Sequence, residues 1–236
     1  MRWRPLLPFP VVVVLLGGCA SLVSWNPDAY VVQQGDTLYA IAWRHNLDPQ
    51  QLASWNRLGS GNLIYPGQEI LLSPPDGWQP GTTRTATRSS APNPRQSRGE
   101  RPPASPPPAP AKAPSDWVWP TDGRLASRFG EGDLGGKGVD IRGREGQPIR
   151  AASGGEIVYS GSGLIGYGQL IIIKHNDAFL SAYGYNRKLS VGEGDRVRGG
   201  QEIAQMGTGP GKEPAVHFEI RLNGKPVDPL RYLPAR

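Results

Sequence analysis

Hydrophobic and polar positions follow three different patterns along this chain of 236 residues. The first is a continuous apolar run at residues 11–16, which follows Arg2 and Arg4. A charged start, a short apolar core and small residues after it are typical of a secretory signal peptide. The run is too short to span a bilayer comfortably. We therefore predict that residues 1–18 are a signal peptide.

The second pattern mixes strand and helix signals between residues 29 and 73. A short apolar strand start leads into a glycine turn, after which Asp36 or Thr37 can cap a helix. Pro49 opens a second helix at its first turn, and a Pro-Gly turn at residues 66–67 leads into a last strand. This order predicts a small βααβ module.

The third pattern begins at residue 117, where short apolar runs alternate with glycine turns and no long helical stripe occurs. It predicts an all-β domain over residues 117–236 and a mainly β chain. Residues 74–116 are rich in Pro, Ser and Arg and carry almost no large apolar side chains. Such a segment buries too little apolar surface to offset the entropy lost on ordering. We predict that it is a disordered linker.

Composition and charge narrow the function only slightly. The 32 glycines and 25 prolines favour turns and short strands over long helices. A net charge of +6 suits nucleic acid, anionic lipid or an anionic wall polymer. Because the signal peptide predicts export, we expect no nucleic-acid partner.

Residues 16–19, Leu-Gly-Gly-Cys, resemble a bacterial lipobox. The resemblance implies that Cys19, the only cysteine, becomes a lipidated N-terminus followed by a tether over residues 19–28, with no disulfide. Lipid chains anchor a protein to a membrane without spanning it. Because Ala20 rather than aspartate follows, the resemblance implies an outer-membrane location facing the periplasm. The alternative is that Cys19 is an ordinary small residue in a discarded signal.

The βααβ segment resembles a LysM module, which binds the N-acetylglucosamine-containing glycan of peptidoglycan. The match rests on residues 32–38, 48–52, 55–58 and 64–70, which follow in the family order. It implies a glycan groove between the start of the first helix and the loop before the last strand. The alternative is that the apolar members of this set are simply core. The residues implied as glycan-binding are Gly35, Asp36, Thr37, Leu38, Asn62, Leu63, Ile64 and Tyr65.

The C-terminal domain resembles the LytM, or lysostaphin-like, zinc metallopeptidases, which cut peptide cross-links in peptidoglycan. The resemblance rests on residues 138–141, 154–161, 166–170 and 217–220, and it implies a duplicated-hybrid-motif β-sandwich. Active members use a histidine and an aspartate four residues apart, a His-x-His pair and a further histidine. Catalytic zinc takes three protein ligands and leaves one position for a water, whose pKa it lowers.

Carried over position by position, the family pattern is incomplete in this chain. Asp140 and His217 stand at two of the three ligand positions, but Gly136 stands at the third. Tyr185 and Ala215 stand at the two catalytic histidine positions. The resemblance therefore implies a degenerate domain with no catalytic residue and no cofactor, because an Asp–His pair should hold residual zinc only weakly.

A lipobox, a LysM module, a Pro-rich linker and a degenerate LytM domain, in this order, most resemble the NlpD type of murein hydrolase activator lipoprotein. The resemblance implies a non-catalytic protein that activates an N-acetylmuramoyl-L-alanine amidase during septal wall splitting and daughter-cell separation. The amidase would dock in the groove left by the lost active site. The residues predicted to line that groove are Gly136, Lys137, Asp140, Tyr167, Tyr185, Ala215 and His217.

Three alternatives stay open at this point. Asp140 and His217 could make only a buried hydrogen bond, with the partner docked elsewhere. The domain could be a zinc metalloendopeptidase with an atypical site. The chain could also be a structural tether between the outer membrane and the cell wall.

Overall fold

The computed structural model describes residues 28–59, 62–78 and 112–236. The predicted signal peptide, Cys19 and most of the predicted linker lie outside the described residues. Within the described ranges, no helix is long and apolar enough to cross a membrane.

The N-terminal module has the predicted βααβ order, with its two strands paired antiparallel. Thr37 caps the first helix, because its hydroxyl accepts a hydrogen bond from the Ala40 amide at 3.0 Å. Asp48 caps the second helix in the same way, with its carboxylate accepting from the Gln50 amide at 2.7 Å. The elements are β1 (Ala29–Val31), α1 (Leu38–His45), α2 (Pro49–Trp55) and β2 (Glu69–Leu71).

The C-terminal domain is all β, as predicted, and its strands form one continuous sheet that folds around an apolar core. The strand order is β3-β4-β11-β10-β8-β7-β6-β9, and β11 also pairs directly with β8. Two short strands extend this path, because β12 pairs with β11 and β5 pairs with β10. The strands are β3 (Arg124–Ser127), β4 (Val139–Arg142), β5 (Pro148–Arg150), β6 (Gly155–Gly161), β7 (Gln169–Lys174), β8 (Phe179–Leu189), β9 (Arg196–Val197), β10 (Glu202–Thr208), β11 (Pro214–Leu222) and β12 (Lys225–Val227).

Strand β11 divides its side chains between the two faces of the sheet. Successive residues of a strand point to opposite faces. Val216, Phe218 and Ile220 belong to the main core, whereas the alternate residues at 217, 219 and 221 are the polar His, Glu and Arg. The polar face of β11 therefore lies away from the main core, yet all three of its polar side chains are buried.

The N-terminal module packs on this second face through an apolar cluster that spans both modules. Ala40 and Trp43 of α1 belong to the cluster, together with Leu170 and Ile172 of β7 and Leu180 of β8. Both faces of β7 are consequently covered, which explains why residues 170–173 are all apolar rather than alternating.

Polar contacts at the edges of this interface hold the two modules together. The Gln50 side chain donates to the Asp177 carbonyl at 3.0 Å, and the Lys225 ammonium donates to the Asn46 carbonyl at 2.9 Å. Gly224 lies at positive φ (75°), and a Cβ atom there would lie 2.2 Å from the Leu47 carbonyl oxygen. Only glycine fits at this point, because the backbones of the two modules approach each other so closely.

Candidate functional site

The two surviving family ligand positions face each other on adjacent strands. His217 of β11 is the register partner of Asp140 of β4, and the His217 Nδ1 atom lies 2.7 Å from Asp140 Oδ1. The second nitrogen, Nε2, lies 3.2 Å from Glu219 Oε1. Ser127 of β3 donates to the other oxygen of Asp140 at 2.5 Å. The imidazole of His217 is therefore held between two carboxylates.

The polar network continues from this site to the N-terminal module. Tyr167 donates its hydroxyl to Glu219 Oε1 at 2.6 Å, and Arg221 Nε donates to Glu219 Oε2 at 3.0 Å. Arg221 Nη1 then donates to the Trp43 carbonyl at 2.8 Å, and the guanidinium carbon lies 3.5 Å from the centre of the Trp43 ring. One row of charged residues on β11 thus links the site to helix α1.

The electrostatics of this network keep His217 charged. Burial alone would lower the pKa of His217, but its hydrogen bonds to Asp140 and Glu219 and the charges of both carboxylates raise it to about 9. Burial would likewise raise the pKa of Glu219, but the hydrogen bond from His217 and the charges of Arg221 and His217 lower it. The stable state near neutral pH is an imidazolium that donates to two carboxylates.

The position of the missing third ligand leaves no room for a side chain. Gly136 lies at positive φ (67°), and a Cβ atom there would lie 2.6 Å from the Gly130 carbonyl carbon. A Cβ atom at Gly132 would lie 2.9 Å from Ser127 Oγ and 3.1 Å from Asp140 Oδ2. The segment 130–136 therefore packs closely on itself and against Ser127 and Asp140.

The residues at the catalytic histidine positions close the site further. Tyr185 is 5% exposed at positive φ (63°), and its ring centre lies 5.7 Å from that of His217. Burial and the Asp140 charge raise the pKa of Tyr185, and its buried hydroxyl has no hydrogen-bond partner among the described residues. The Tyr167 ring lies 5.9 Å from the His217 ring. Ala215 is also buried, on β11 beside Gly207 of β10.

The residues present do not fit a catalytic zinc ion. Both nitrogens of His217 are already hydrogen-bonded to carboxylates, so neither is free to bind a metal in this arrangement. The third ligand position at Gly136 can accept no side chain. Across residues 28–59, 62–78 and 112–236, no cluster of three or more His, Cys, Asp or Glu side chains is arranged to hold a metal ion.

The predicted groove residues do converge, but they form a packed cluster around His217. Only Lys137 and Asp140 of the seven are partly accessible. Docking of a partner at this place stays a prediction, and any contact would reach the rim of the cluster rather than its floor. The buried members are Gly136, Tyr167, Tyr185, Ala215 and His217.

The predicted glycan residues fall into two groups. Leu38 is 1% exposed and belongs to the core of the N-terminal module, so a ligand cannot reach it. Asp36 accepts hydrogen bonds from Tyr30 and Arg44 instead of capping the helix. Gly35 is exposed, as are Leu63 (65%) and Tyr65 (61%) in the loop before β2, while Thr37, Asn62 and Ile64 are half-buried.

From β11, sequence reasoning identified His217 and Ala215 but missed Glu219 and Arg221. The available signal was the alternation of His, Glu and Arg with Val, Phe and Ile at residues 216–221. Such a period of two places three charged side chains in one row. It does not indicate what covers them.

Two family models match the chain, and together they define its class. Residues 30–73 match the LysM domain, and residues 135–229 match peptidase family M23. The mainly β fold class, with a LysM module before an M23-family domain, is confirmed. The solved catalytic domain of the antimicrobial peptidase lysostaphin from Staphylococcus simulans is similar, at 28% identity and a TM-score of 0.43, over 46% of this chain and 90% of that chain.

Full-length relatives then identify the family. The chain is 43% identical over 234 residues to the lipoprotein NlpD/LppB homolog of Pseudomonas aeruginosa, covering 88% of this chain and 77% of the relative. It is 35% identical over 263 residues to the murein hydrolase activator NlpD of Escherichia coli, covering 90% of this chain and 69% of the relative. The chain belongs to the NlpD/LppB family of lipoproteins.

Proposed function

We propose that this chain is a non-catalytic activator of a cell-wall hydrolase, and that the hydrolase is an N-acetylmuramoyl-L-alanine amidase acting at the division septum. The capture of His217 between Asp140 and Glu219 carries the proposal, because it leaves the surviving ligand positions occupied by each other. The names of the NlpD relatives, which describe murein hydrolase activators, support it.

The M23-family domain supplies a docking surface in this proposal rather than a reaction. Two loops border the His217 cluster, and each exposes a large apolar side chain. Phe129 is 37% exposed beside the segment that folds over Asp140, and Ile165 is 98% exposed two residues before Tyr167. Contiguous exposed apolar patches mark protein-binding surfaces, and Phe129 and Ile165 are the residues proposed to form one here. The amidase therefore contacts this rim.

The upstream segments place the domain at the wall. The LysM module binds peptidoglycan glycan, with exposed Leu63 and Tyr65 as its contact residues. Cys19 carries the lipid that anchors the chain to the outer membrane, facing the periplasm. Radiolabelled palmitate incorporation in cells tests the anchor, because Cys19→Ser should abolish the label and release the protein from the membrane fraction.

One reconstituted assay tests the activator function. Labelled peptidoglycan is incubated with the purified chain, with a candidate amidase and with both, each with added zinc or a chelator. We expect label release above the amidase level only when both proteins are present. Zinc-dependent release by the chain alone would contradict the proposal and favour an atypical endopeptidase. Unchanged release across a panel of amidases would favour the structural tether.

A gain-of-ligand variant sharpens the same assay. A triple variant restores a histidine at each position where the family pattern has one: Gly136→His, Tyr185→His and Ala215→His. We expect no zinc binding by calorimetry and no release by the chain alone, because a side chain at residue 136 collides with the Gly130 backbone. Ala215→His alone is the matched control, since it adds a histidine without that collision.

A further inference from the structure

A cleft lies between the two modules, on the side of the LysM module where its glycan groove is expected. Its volume is about 530 Å³. Gln34 and Gly35 of the turn before α1 form one wall. The other wall belongs to the M23-family domain, where residues 159–163 and 192–193 contribute it.

The docking of the modules fixes the width of this cleft. The Thr37 hydroxyl donates to the Val158 carbonyl at 3.3 Å, directly beside the cleft. Trp43, six residues further along the chain, is held by Arg221. The two walls are therefore parts of one packed unit rather than two surfaces that meet by chance.

The chemistry of the walls suits a neutral, hydroxyl-rich ligand. The side chains of Gln34 and Ser162 are exposed and have no hydrogen-bond partner among the described residues. Glu193 uses one carboxylate oxygen to accept from the Ser160 amide at 3.3 Å, which leaves the other oxygen available. An amide, a hydroxyl and a carboxylate together can donate to and accept from sugar hydroxyls and acetamido groups.

Charge and shape exclude a phosphate-like ligand here. The described residues that line the cleft include no lysine or arginine, and its one charged side chain is acidic. Glycines make up much of both walls, and a Cβ atom at Gly35 would meet nothing within 4 Å. A flat sugar ring can therefore approach the backbone closely.

The backbone that leads into the cleft is hydrogen-bonded to the turn after the exposed loop of the LysM module. The Gly67 amide donates to the Val32 carbonyl at 2.8 Å, and the Val32 amide donates to the Gln68 carbonyl at 2.8 Å. These bonds place the turn that follows Tyr65 against the strand that leads into Gln34. A glycan lying on Leu63 and Tyr65 is thus directed towards Gly35 and the cleft beyond it.

We propose that a peptidoglycan glycan strand bound by the LysM module continues into this cleft and contacts the M23-family domain through Ser162 and Glu193. The glycan site is then composite, built from both modules. This inference rests on the proposed glycan binding of the LysM module.

The test measures binding of N-acetylglucosamine oligomers, from two to six sugars, to the full chain by calorimetry. Ser162→Trp fills the cleft, and Glu193→Gln removes its charge. We expect Ser162→Trp to weaken binding of the longest oligomer at least tenfold while leaving the shortest unchanged, and Glu193→Gln to weaken it about threefold. Ser115→Trp, at an exposed serine outside the cleft, should bind as the wild type does.

A second variant separates this inference from the function on which it rests. Tyr65→Ala should weaken oligomers of every length, because it alters the LysM loop itself. If Tyr65→Ala weakens binding but Ser162→Trp and Glu193→Gln match the wild type at every length, the composite site is wrong and the LysM site stands. If the wild type binds no oligomer, both are wrong. Unfolding midpoints equal to that of the wild type confirm that each variant is folded.

Discussion

Each end of the polar row on β11 is a buried charge, but the two charges are stabilised by different partners. At one end His217 is neutralised within its own domain, by Asp140 from the neighbouring strand and by Glu219. At the other end Arg221 is covered by another module, through the carbonyl and ring of Trp43. Buried charges need partners and hydrogen bonds. The charge at one end is therefore balanced within the M23-family domain, whereas the charge at the other end depends on module docking.

We expect the largest loss of folding stability from Arg221→Ala. The change removes one of the two cationic partners of Glu219, itself fully buried, and leaves only His217; breaking such a buried pair costs about 3–5 kcal/mol of stability. We expect calorimetry to show two separate unfolding transitions, because helix α1 loses its anchor. Arg196→Ala, at a side chain that is 85% exposed, is the control and should change stability by less than about 0.5 kcal/mol. A single, unshifted transition in Arg221→Ala would show that the modules do not depend on this contact.

The contribution of charged His217 to stability is tested by measuring stability as a function of pH. The His217 pKa of about 9 in the folded state lies above the ordinary value of 6.5. The stabilisation is therefore complete below about pH 6.5 and is lost as pH rises through about 9, by a few kcal/mol in total. Urea unfolding between pH 6 and 10 measures the loss, and NMR of the imidazole measures the pKa directly.

The matched control for the pH experiment is His217→Gln, which keeps a hydrogen-bonding side chain but cannot titrate. Its stability should be lower at pH 6 and should lack the fall between pH 6.5 and 9. If the wild-type imidazole titrated near 6.5, the hydrogen bonds of His217 to both Asp140 and Glu219 would be contradicted.

A smaller effect is expected at the close backbone approach between the modules. Gly224→Ala places a Cβ atom against the Leu47 carbonyl, and such overpacking costs about 1–3 kcal/mol beyond the strain of a positive φ. Gly194→Ala is the matched control, because Gly194 has a similar φ (87°) but nothing within 4 Å of the added atom. Its cost should be only the conformational one, about 1–2 kcal/mol. Urea unfolding measures the loss of unfolding free energy in each variant. Equal losses would contradict the prediction, because they would show that the modules move apart at residue 224 without loss of stability.

The smallest effect on stability, but a large one on function, is expected at the rim of the His217 cluster. Ile165→Asp changes a fully exposed side chain and should leave the unfolding midpoint unchanged. Activation of the amidase should fall at least tenfold, because a charge enters the proposed apolar contact. Val118→Asp, at a side chain that is 38% exposed outside the two rim loops, should activate normally. Full activation by Ile165→Asp would place the partner elsewhere.

Much of the architecture was readable from local patterns. A helix cap at Asp36 or Thr37, the proline that starts α2 and the glycine turns between short apolar runs predicted the βααβ module and the all-β domain. The family resemblance, not a local pattern, supplied Asp140 and His217 as predicted ligand positions and Gly136 and Tyr185 as predicted replaced positions. The secondary-structure signals are encoded within a few residues of each other, where periodicity and turn chemistry are strong.

The state of the site and the relation between the modules were set by contacts between distant residues. Trp43 and Arg221 are 178 positions apart, and His217 and Asp140 are 77 apart. A row of charges on a strand looks the same in sequence whether water or another module covers it. Sequence therefore determined which elements form, while tertiary packing decided that His217 is held between two carboxylates and that helix α1 covers Arg221, because burial and desolvation depend on what lies across the sheet.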